Sequence, residues 1–312
     1  MAPEKILLPL SPPKDKQAVS LPELTDAQVK MQENIQAHFT KDGYTLPDVG
    51  SSGELMEEEK FWLSYECQLR YLRATKWKVD EAIKRLESTL KWRRGFGLYN
   101  HVTPEYIEPE AVTGKEILFG FDAHGRPAFY MVPSRQNTTE STRQVEFAFF
   151  MLERAIDLMD VGVESLDLLI NFADKAKNPS MSTARTVLSI LQTHYPERLG
   201  KALVINVPYL VNLFFKIITP FIDPVTVQKL KFNPNVVQEQ IFAENQVMKD
   251  YWGGNQDFEY QHEKYWPALI QLCQSRKAQW LENWKRLGGT IGIHESAYKG
   301  DFQAPEKTSG DA

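Results

Sequence analysis

LDLLINFADKAKNPSMSTARTVLSILQTHYPERLGKALVINV, residues 166–207, decides the fold. Its first and last segments, 166–172 and 201–207, are short apolar runs of the length and composition of strands buried on both faces. Between them, 182–195 carries helical periodicity and begins at Ser182, a residue suited to capping. Strand, helix, strand in this order predicts a parallel pair joined by a covering helix. Working toward the N-terminus, 143–160 reads as a helix with Val145, Phe149, Leu152, Ile156 and Met159 on one stripe. Before it, 117–121 and 127–132 flank Asp122-Ala123-His124-Gly125, whose turn chemistry predicts a hairpin. The centre of the chain is therefore α/β, with a mainly parallel sheet covered by helices.

The flanks are helical. Trp62, Tyr65, Leu69 and Leu72 recur at spacings of three, four and three, and Val79, Ile83, Leu86 and Leu90 at four, three and four. Two apolar stripes with a short link predict an antiparallel helix pair, closed by Arg93, Arg94, Gly95 and Gly97. Residues 1–25 hold Pro3, Pro9, Pro12, Pro13 and Pro22 and read as an extended arm, followed by a short helix from Thr25 to about Phe39 and a loop over 41–53. Beyond Val237 the chain returns to irregular and helical segments; 266–287 has Leu269, Cys273, Trp280 and Trp284 on a helical face, and 296–312 reads as polar and loose. Four units result: arm and short helix 1–53, helical unit 54–100, α/β domain 101–262, and C-terminal helix with tail 263–312.

Composition excludes several classes. With 42% hydrophobic and 25% charged residues among 312, the chain can bury a large core and lacks the profile of disorder. A net charge of -5 argues against a generic nucleic-acid binder. Cys67 and Cys273 are far apart without a CxxC, so neither a disulfide framework nor a cysteine zinc site is expected, and a reducing compartment fits. The apolar patch Ile6, Leu7, Leu8, Leu10 is too short and too proline-broken for a signal segment. The most apolar stretch, 207–222, is interrupted by Asn212, Lys216 and Thr219 and falls short of a bilayer span. A cytoplasmic protein whose membrane contact is peripheral is expected.

Enzyme signatures are missing: no GxGxxG, GxxxxGK[ST], HExxH or GxSxG occurs, and no two histidines share an i, i+4 spacing. Asp167 and Asp174 bracket a strand and read either as a carboxylate pair or as capping and solvated residues. Three features remain. On a helix, 207–222 places Asn212, Lys216 and Thr219 on one narrow stripe amid apolar residues: a core helix with one wet edge, or a mobile cover over an apolar cavity. In 223–229, Asp223 suits an N-cap and Pro224 a first helical residue, with Thr226 and Lys229 facing one way; that is a well-capped surface helix or a phosphate site. In 194–201, Pro196 and Gly200 enforce a tight turn, and Glu197 either pairs with Arg198 or accepts hydrogen bonds from a polyol head.

HYPERLGKALVINVP (194–208) followed by PFIDPVTVQKL (220–230) resembles the lipid-binding core of the CRAL-TRIO family, and within it the Sec-fourteen-like phosphatidylinositol transfer proteins of fungi. LRYLRATKW (69–77), DAHGRPAFY (122–130) and DYWGG (250–254) fit in order and spacing. EFAFFMLERAIDLM (146–159) and YWPALIQLC (265–273) are similar to the branch associated with pleiotropic drug resistance. The resemblance implies a helical unit packed on an α/β domain whose sheet floors an apolar pocket closed by a gating helix. It assigns the phosphatidylinositol headgroup to Glu197, Lys229 and Thr226, with Asp223 and Lys76 near. The gate is then Tyr209, Leu210, Leu213, Phe214, Ile217, Ile218 and Phe221, and the pocket lining includes Leu166, Leu168, Ile170 and Tyr130.

Two departures accompany it. The basic residue that family members place before Lys76 is Thr75 here. The strand that supplies hydroxyls to a phosphatidylcholine head reads Leu166-Asp167-Leu168, so choline-lipid binding should be weak and a sterol becomes a fitting second ligand. The expected function is a non-catalytic carrier that exchanges phosphatidylinositol between membranes. It is expected to need no cofactor beyond bound lipid, to meet membranes or lipid droplets transiently and to contribute to lipid homeostasis and azole tolerance; a third reading is a scaffold that presents lipid to a lipid kinase. The rival expectation is a haem-type redox protein or enzyme on the same scaffold, with His194 or Tyr195 as ligand.

Overall fold

A computed structural model describes residues 5–13, 16–17, 23–49, 53–139, 141–174, 181–208 and 224–300, with side chains described at all of these but 141, 181, 182, 225 and 226. Helix α1 (Asp26–Thr40) starts as its local chemistry dictates: the Thr25 hydroxyl accepts from the Gln28 N–H, and the Gln28 side chain accepts from the Thr25 N–H. The stripe expected to run from Trp62 to Leu72 divides into two helices, α2 (Glu57–Trp62) and α3 (Tyr65–Ala74). Leu63 leaves helical geometry and Ser64 caps the new helix by accepting from the Cys67 N–H, so a strong N-cap overrides continuous periodicity. Helix α4 (Val79–Phe96) ends at Gly97, whose φ of 83° is left-handed and where a Cβ would lie 2.6 Å from His101 Cβ.

Helices α1, α3 and α4 bury a common core of Ile35, Phe39, Leu72, Leu86, Leu90 and Ile291. The short helix after the arm therefore belongs to the helical unit. Helix α5 (Pro104–Ala111), capped by Thr103 with Pro104 in its first turn, was not anticipated.

The sheet has five strands in sequence order: β1 (Glu116–Phe121), β2 (Pro127–Met131), β3 (Leu166–Asn171), β4 (Leu199–Ile205) and β5 (Leu230–Phe232). The hairpin β1–β2 is antiparallel and the remaining pairs are parallel. Asp122 closes the hairpin turn by accepting from the N–H groups of His124 and Arg126, each at 2.8 Å. Helix α6 (Ser141–Asp157) links β2 to β3, and α7 (Met181–His194) links β3 to β4. Each helix thus crosses between neighbouring parallel strands, and the two helices touch one another. The α7 start at Met181 leaves Ser182 inside the helix rather than capping it.

Register separates the two faces. Ile117, Tyr130, Leu169 and Leu203 share one face and are all but fully buried. The segment after β5 covers that face: Trp252 meets the Tyr130 ring edge-on at 5.8 Å, and the Ala123 N–H donates to the Ile241 carbonyl. Leu118, Phe129, Leu168, Ala202 and Leu230 form one row of the other face, and Glu116, Met131, Ile170, Val204 and Phe232 the next. Here Met131, Leu168, Ile170 and Leu230 are half-buried and Phe232 is 43% exposed. Sheets of this kind are ordinarily packed on both sides. This one is filled behind, and among the described residues six of the ten in the two front rows stay partly exposed, leaving a largely apolar floor.

The described C-terminal residues pack on the rest of the fold. On α9 (His262–Arg286), Trp266 packs on Phe147 and Phe150 of α6, and the Tyr265 hydroxyl donates to the Leu118 carbonyl and accepts from its N–H, satisfying the edge strand. Of the stretch 296–312, expected to be loose, residues 296–299 belong to α10 (Glu295–Lys299), with Tyr298 3% exposed against Phe61 and Trp284, and 301–312 lie outside the described residues. The arm is extended at Ile6, which bridges in parallel to Phe258. Both cysteines are buried and free.

Candidate functional site: a turn at the head of two parallel strands

The turn 194–201 connects α7 to β4, and its conformation is set by side chains that lock it from three sides. His194 stacks on Trp92 at 4.5 Å, with Nδ1 2.9 Å from the Thr89 hydroxyl. Burial, and then the charges of Arg85 and Arg93, lower its pKa to about 4. The Tyr195 hydroxyl donates to Glu153 at 2.8 Å, and Arg93 grips both oxygens of that carboxylate at 2.8 and 2.9 Å. Burial alone would raise the Glu153 pKa; Arg93 and Tyr195 overcome it and hold it at about 2. The two side chains named as haem ligands thus take part in packing and hydrogen bonding within the turn.

Gly200 lies where a Cβ would stand 2.4 Å from Asp167 Oδ1 and 2.8 Å from Arg126 Cδ, so no other residue fits without displacement. Asp167 is fully buried and accepts from the Lys201 N–H at 2.8 Å. Its pKa is pushed up to about 7 by burial and by the neighbouring Asp122. The acid that pairs with Asp167 is therefore Asp122, from the hairpin turn, whereas Asp174 is exposed. Lys201 Nζ stands 3.7 and 4.0 Å from the outer oxygens of the pair.

Glu197 takes a left-handed φ of 58° and turns its carboxylate to the helical unit, where it accepts from Arg73 Nε at 2.5 Å. Arg73 also donates to Glu164 at 2.8 Å; Arg70, 3% exposed, bridges Glu164 and Glu295. Arg70 and Arg73 hold the Glu164 pKa below the usual carboxylate range against the desolvation that would raise it. Lys229 approaches the same turn from the other side: its ammonium donates to the Leu199 carbonyl at 2.6 Å. Glu197 and Lys229 precede the adjacent parallel strands β4 and β5, so strand pairing is what brings them together.

Lys229 lies beyond α8 (Pro224–Gln228), between that helix and β5, so Thr226 and Lys229 do not share a helical face as the spacing suggested. Thr226 falls within α8, and its side chain is not described. Lys76 is exposed, with a φ of 53°, on the turn that follows α3, three residues past Arg73. Asp223 and the gate positions Tyr209, Leu210, Leu213, Phe214, Ile217, Ile218 and Phe221 lie outside the described residues.

Of the expected pocket lining, Leu166, Leu168 and Ile170 belong by alternation to the open floor face. Tyr130 does not: strand alternation sends it to the back, where its hydroxyl accepts from the Met248 N–H at 3.5 Å. Its neighbour Phe129 takes the floor position. Arg73 is the partner of Glu197 that sequence reasoning missed. The Arg70, Arg73 spacing of three was visible in LRYLRATKW, but its acidic partners lie far along the chain. A separate groove of about 640 Å³ between α4, α6 and α7, lined by Phe96, His101, Val145, Glu146, Thr186 and Ile190 among others, contains none of the headgroup residues.

A helical unit locked by ion pairs to an α/β domain, with an apolar sheet floor and an acid and an ammonium at one end, defines the lipid-carrier class of architecture. Residues 111–254 match the CRAL/TRIO domain and 31–88 the CRAL/TRIO N-terminal domain. The chain is 36% identical over 316 residues to phosphatidylinositol transfer protein PDR17 of Saccharomyces cerevisiae, covering 93% of this chain and 89% of that one. It is 48% identical over 282 residues to CRAL-TRIO domain-containing protein C23B6.04c of Schizosaccharomyces pombe, covering 89% of this chain but only 28% of that longer protein. The crystal structure of Sfh5 superposes with a TM-score of 0.55 at 15% identity, over 83% of this chain and 99% of that one, a likeness of fold. The chain belongs to the CRAL/TRIO family.

Proposed function

We propose that this protein extracts one phosphatidylinositol molecule from a membrane, holds its acyl chains over the apolar floor, and releases it at another membrane. The observation that carries the reading is the pairing of a half-open apolar sheet face with Glu197 and Lys229 at the heads of two adjacent strands. An inositol ring offers hydroxyls that donate to the Glu197 carboxylate, and its phosphodiester suits the Lys229 ammonium. Enclosing the tails recovers about 0.8 kcal/mol per CH₂, so the apolar floor supplies the affinity and the polar turn the selectivity. The relatives named as phosphatidylinositol transfer proteins support the same cargo. No catalytic step is required of any residue in this scheme.

A sterol is the second ligand in this proposal, because the floor rows are hydrocarbon along most of their length. No helix among the described residues is long and apolar enough to cross a membrane. With a net charge of -5, contact with anionic membrane or droplet surfaces is transient. A carrier of this kind working in the cytoplasm would influence lipid homeostasis and azole tolerance, and could present its cargo to a lipid kinase.

The test is transfer of radiolabelled phosphatidylinositol between vesicles by Glu197→Ala and Lys229→Ala. Each variant is expected to lose at least tenfold in transfer rate while keeping the wild-type circular dichroism spectrum. Wild-type transfer by a folded variant would remove the headgroup assignment.

A further inference from the structure

The open floor of the sheet carries one ionisable side chain in its two described register rows. Glu116 pairs with Met131, which pairs with Ile170, which pairs with Val204, so all four project from the same face. This row lies five residues along β4 from Leu199, about 16 Å from the turn that carries Glu197 and accepts the Lys229 ammonium. Glu116 is half-buried, and its Oε2 is buried without a hydrogen-bond partner among the described residues. The nearest cation in sequence is engaged elsewhere, since Lys115 donates to Glu110 and to Asn137. Burial raises the Glu116 pKa to about 8, with Lys115 opposing and Glu110 adding to the shift. The group is therefore mostly a neutral acid near pH 7, able to donate one hydrogen bond and accept another. A buried polar atom left unpaired is costly, and in a ligand-binding floor the ligand is the natural partner.

We propose that the Glu116 carboxyl is the polar anchor for the second ligand, taking the single uncharged hydroxyl of an otherwise apolar lipid, either a sterol or a long-chain alcohol. A neutral acid and a hydroxyl satisfy each other in both directions, whereas a phosphate would meet an acceptor and be repelled by any ionised fraction. Within the row, Met131 and Ile170 keep partly exposed hydrocarbon for the lipid body, over the packed Val204. Phosphatidylinositol and the second ligand are thus read at opposite ends of one floor: the first by Glu197 and Lys229, the second by Glu116. This inference rests on the lipid-carrier reading above.

The experiment measures binding of dehydroergosterol by fluorescence transfer from the protein's tryptophans, with cholesterol, 5α-cholestane, hexadecanol and hexadecane as competitors. It uses the full chain and its Glu116→Leu and Glu116→Gln variants. Glu116→Leu is expected to bind dehydroergosterol roughly tenfold more weakly and to lose the preference for hydroxylated over hydroxyl-free competitors. Glu116→Gln, which keeps a donor and an acceptor, should recover most of that affinity. Phosphatidylinositol transfer should stay at wild-type rate in both, and the thermal midpoint of Glu116→Leu at pH 8 should not fall. Displacement by hexadecanol but not by cholesterol would identify the alcohol as the source; the reverse would identify the sterol. Unchanged dehydroergosterol affinity and unchanged hydroxyl preference in Glu116→Leu would overturn the proposal, as would failure of the wild type to bind either hydroxylated lipid while transferring phosphatidylinositol. Failure of the wild type to transfer phosphatidylinositol would instead sink the carrier reading beneath it.

Discussion

At the scale of single residues, the turn 194–201 shows how one side chain acquires a role from neighbours distant in sequence. His194 is neutral in the fold because burial and two arginines oppose its protonation, while in the unfolded chain it titrates near its ordinary value of 6.5. A base whose folded pKa is lowered contributes stability that is present above pH 6.5 and is lost as the pH falls toward 4. Because the ring is only half-buried, the loss expected at pH 5 is discounted to about 1 kcal/mol. Urea unfolding at pH 7 and pH 5 should show this loss in the wild type and not in His194→Gln; equal losses in both would mean that His194 titrates normally. Glu197 and Lys229 were singled out through the family resemblance, whereas Arg73 was not assigned, since nothing in LRYLRATKW names a glutamate 124 residues later. Asp167 drew attention as an acid on a buried strand, yet its partner proved to be Asp122, because strand pairing brings the hairpin turn, not the near loop, beside it.

At the scale of elements, capping and alternation outweighed periodicity wherever they disagreed. Ser64 ended one helix and began another inside an unbroken apolar stripe. Strand alternation turned Tyr130 to the back of the sheet and Phe129 to the front. The floor row Leu118, Phe129, Leu168, Ala202 and Leu230 offers no side-chain donor to a phosphocholine head. Each hydrogen bond to a charged group forgone there costs about 1.5–3 kcal/mol. Lipids co-purifying with the protein are accordingly expected to be inositol lipid and sterol with little phosphatidylcholine. Mass spectrometry of the solvent extract checks this, and abundant phosphatidylcholine would contradict the reading of the floor.

At the scale of the whole molecule, Arg70 joins three regions of the chain. Its guanidinium bridges Glu164, beside β3, and Glu295, at the start of α10, while its own backbone lies in α3. Removing it leaves two carboxylates in a largely buried site with a cation missing. Arg70→Ala should therefore cost about 3 kcal/mol in urea unfolding at neutral pH, and a loss below 1 kcal/mol would show that the three regions hold together without it. The α/β centre, the hairpin, four of the strands and most helices followed from periodicity, capping and turn chemistry, which act between residues close in the chain, whereas the CRAL/TRIO family and the Glu197 and Lys229 assignment came from the resemblance of whole motifs. Which sheet face stays open, which acid meets Asp167, which arginine holds Glu197 and where Glu116 sits were decided only by tertiary structure. Strand order and register join residues that local interactions never compare.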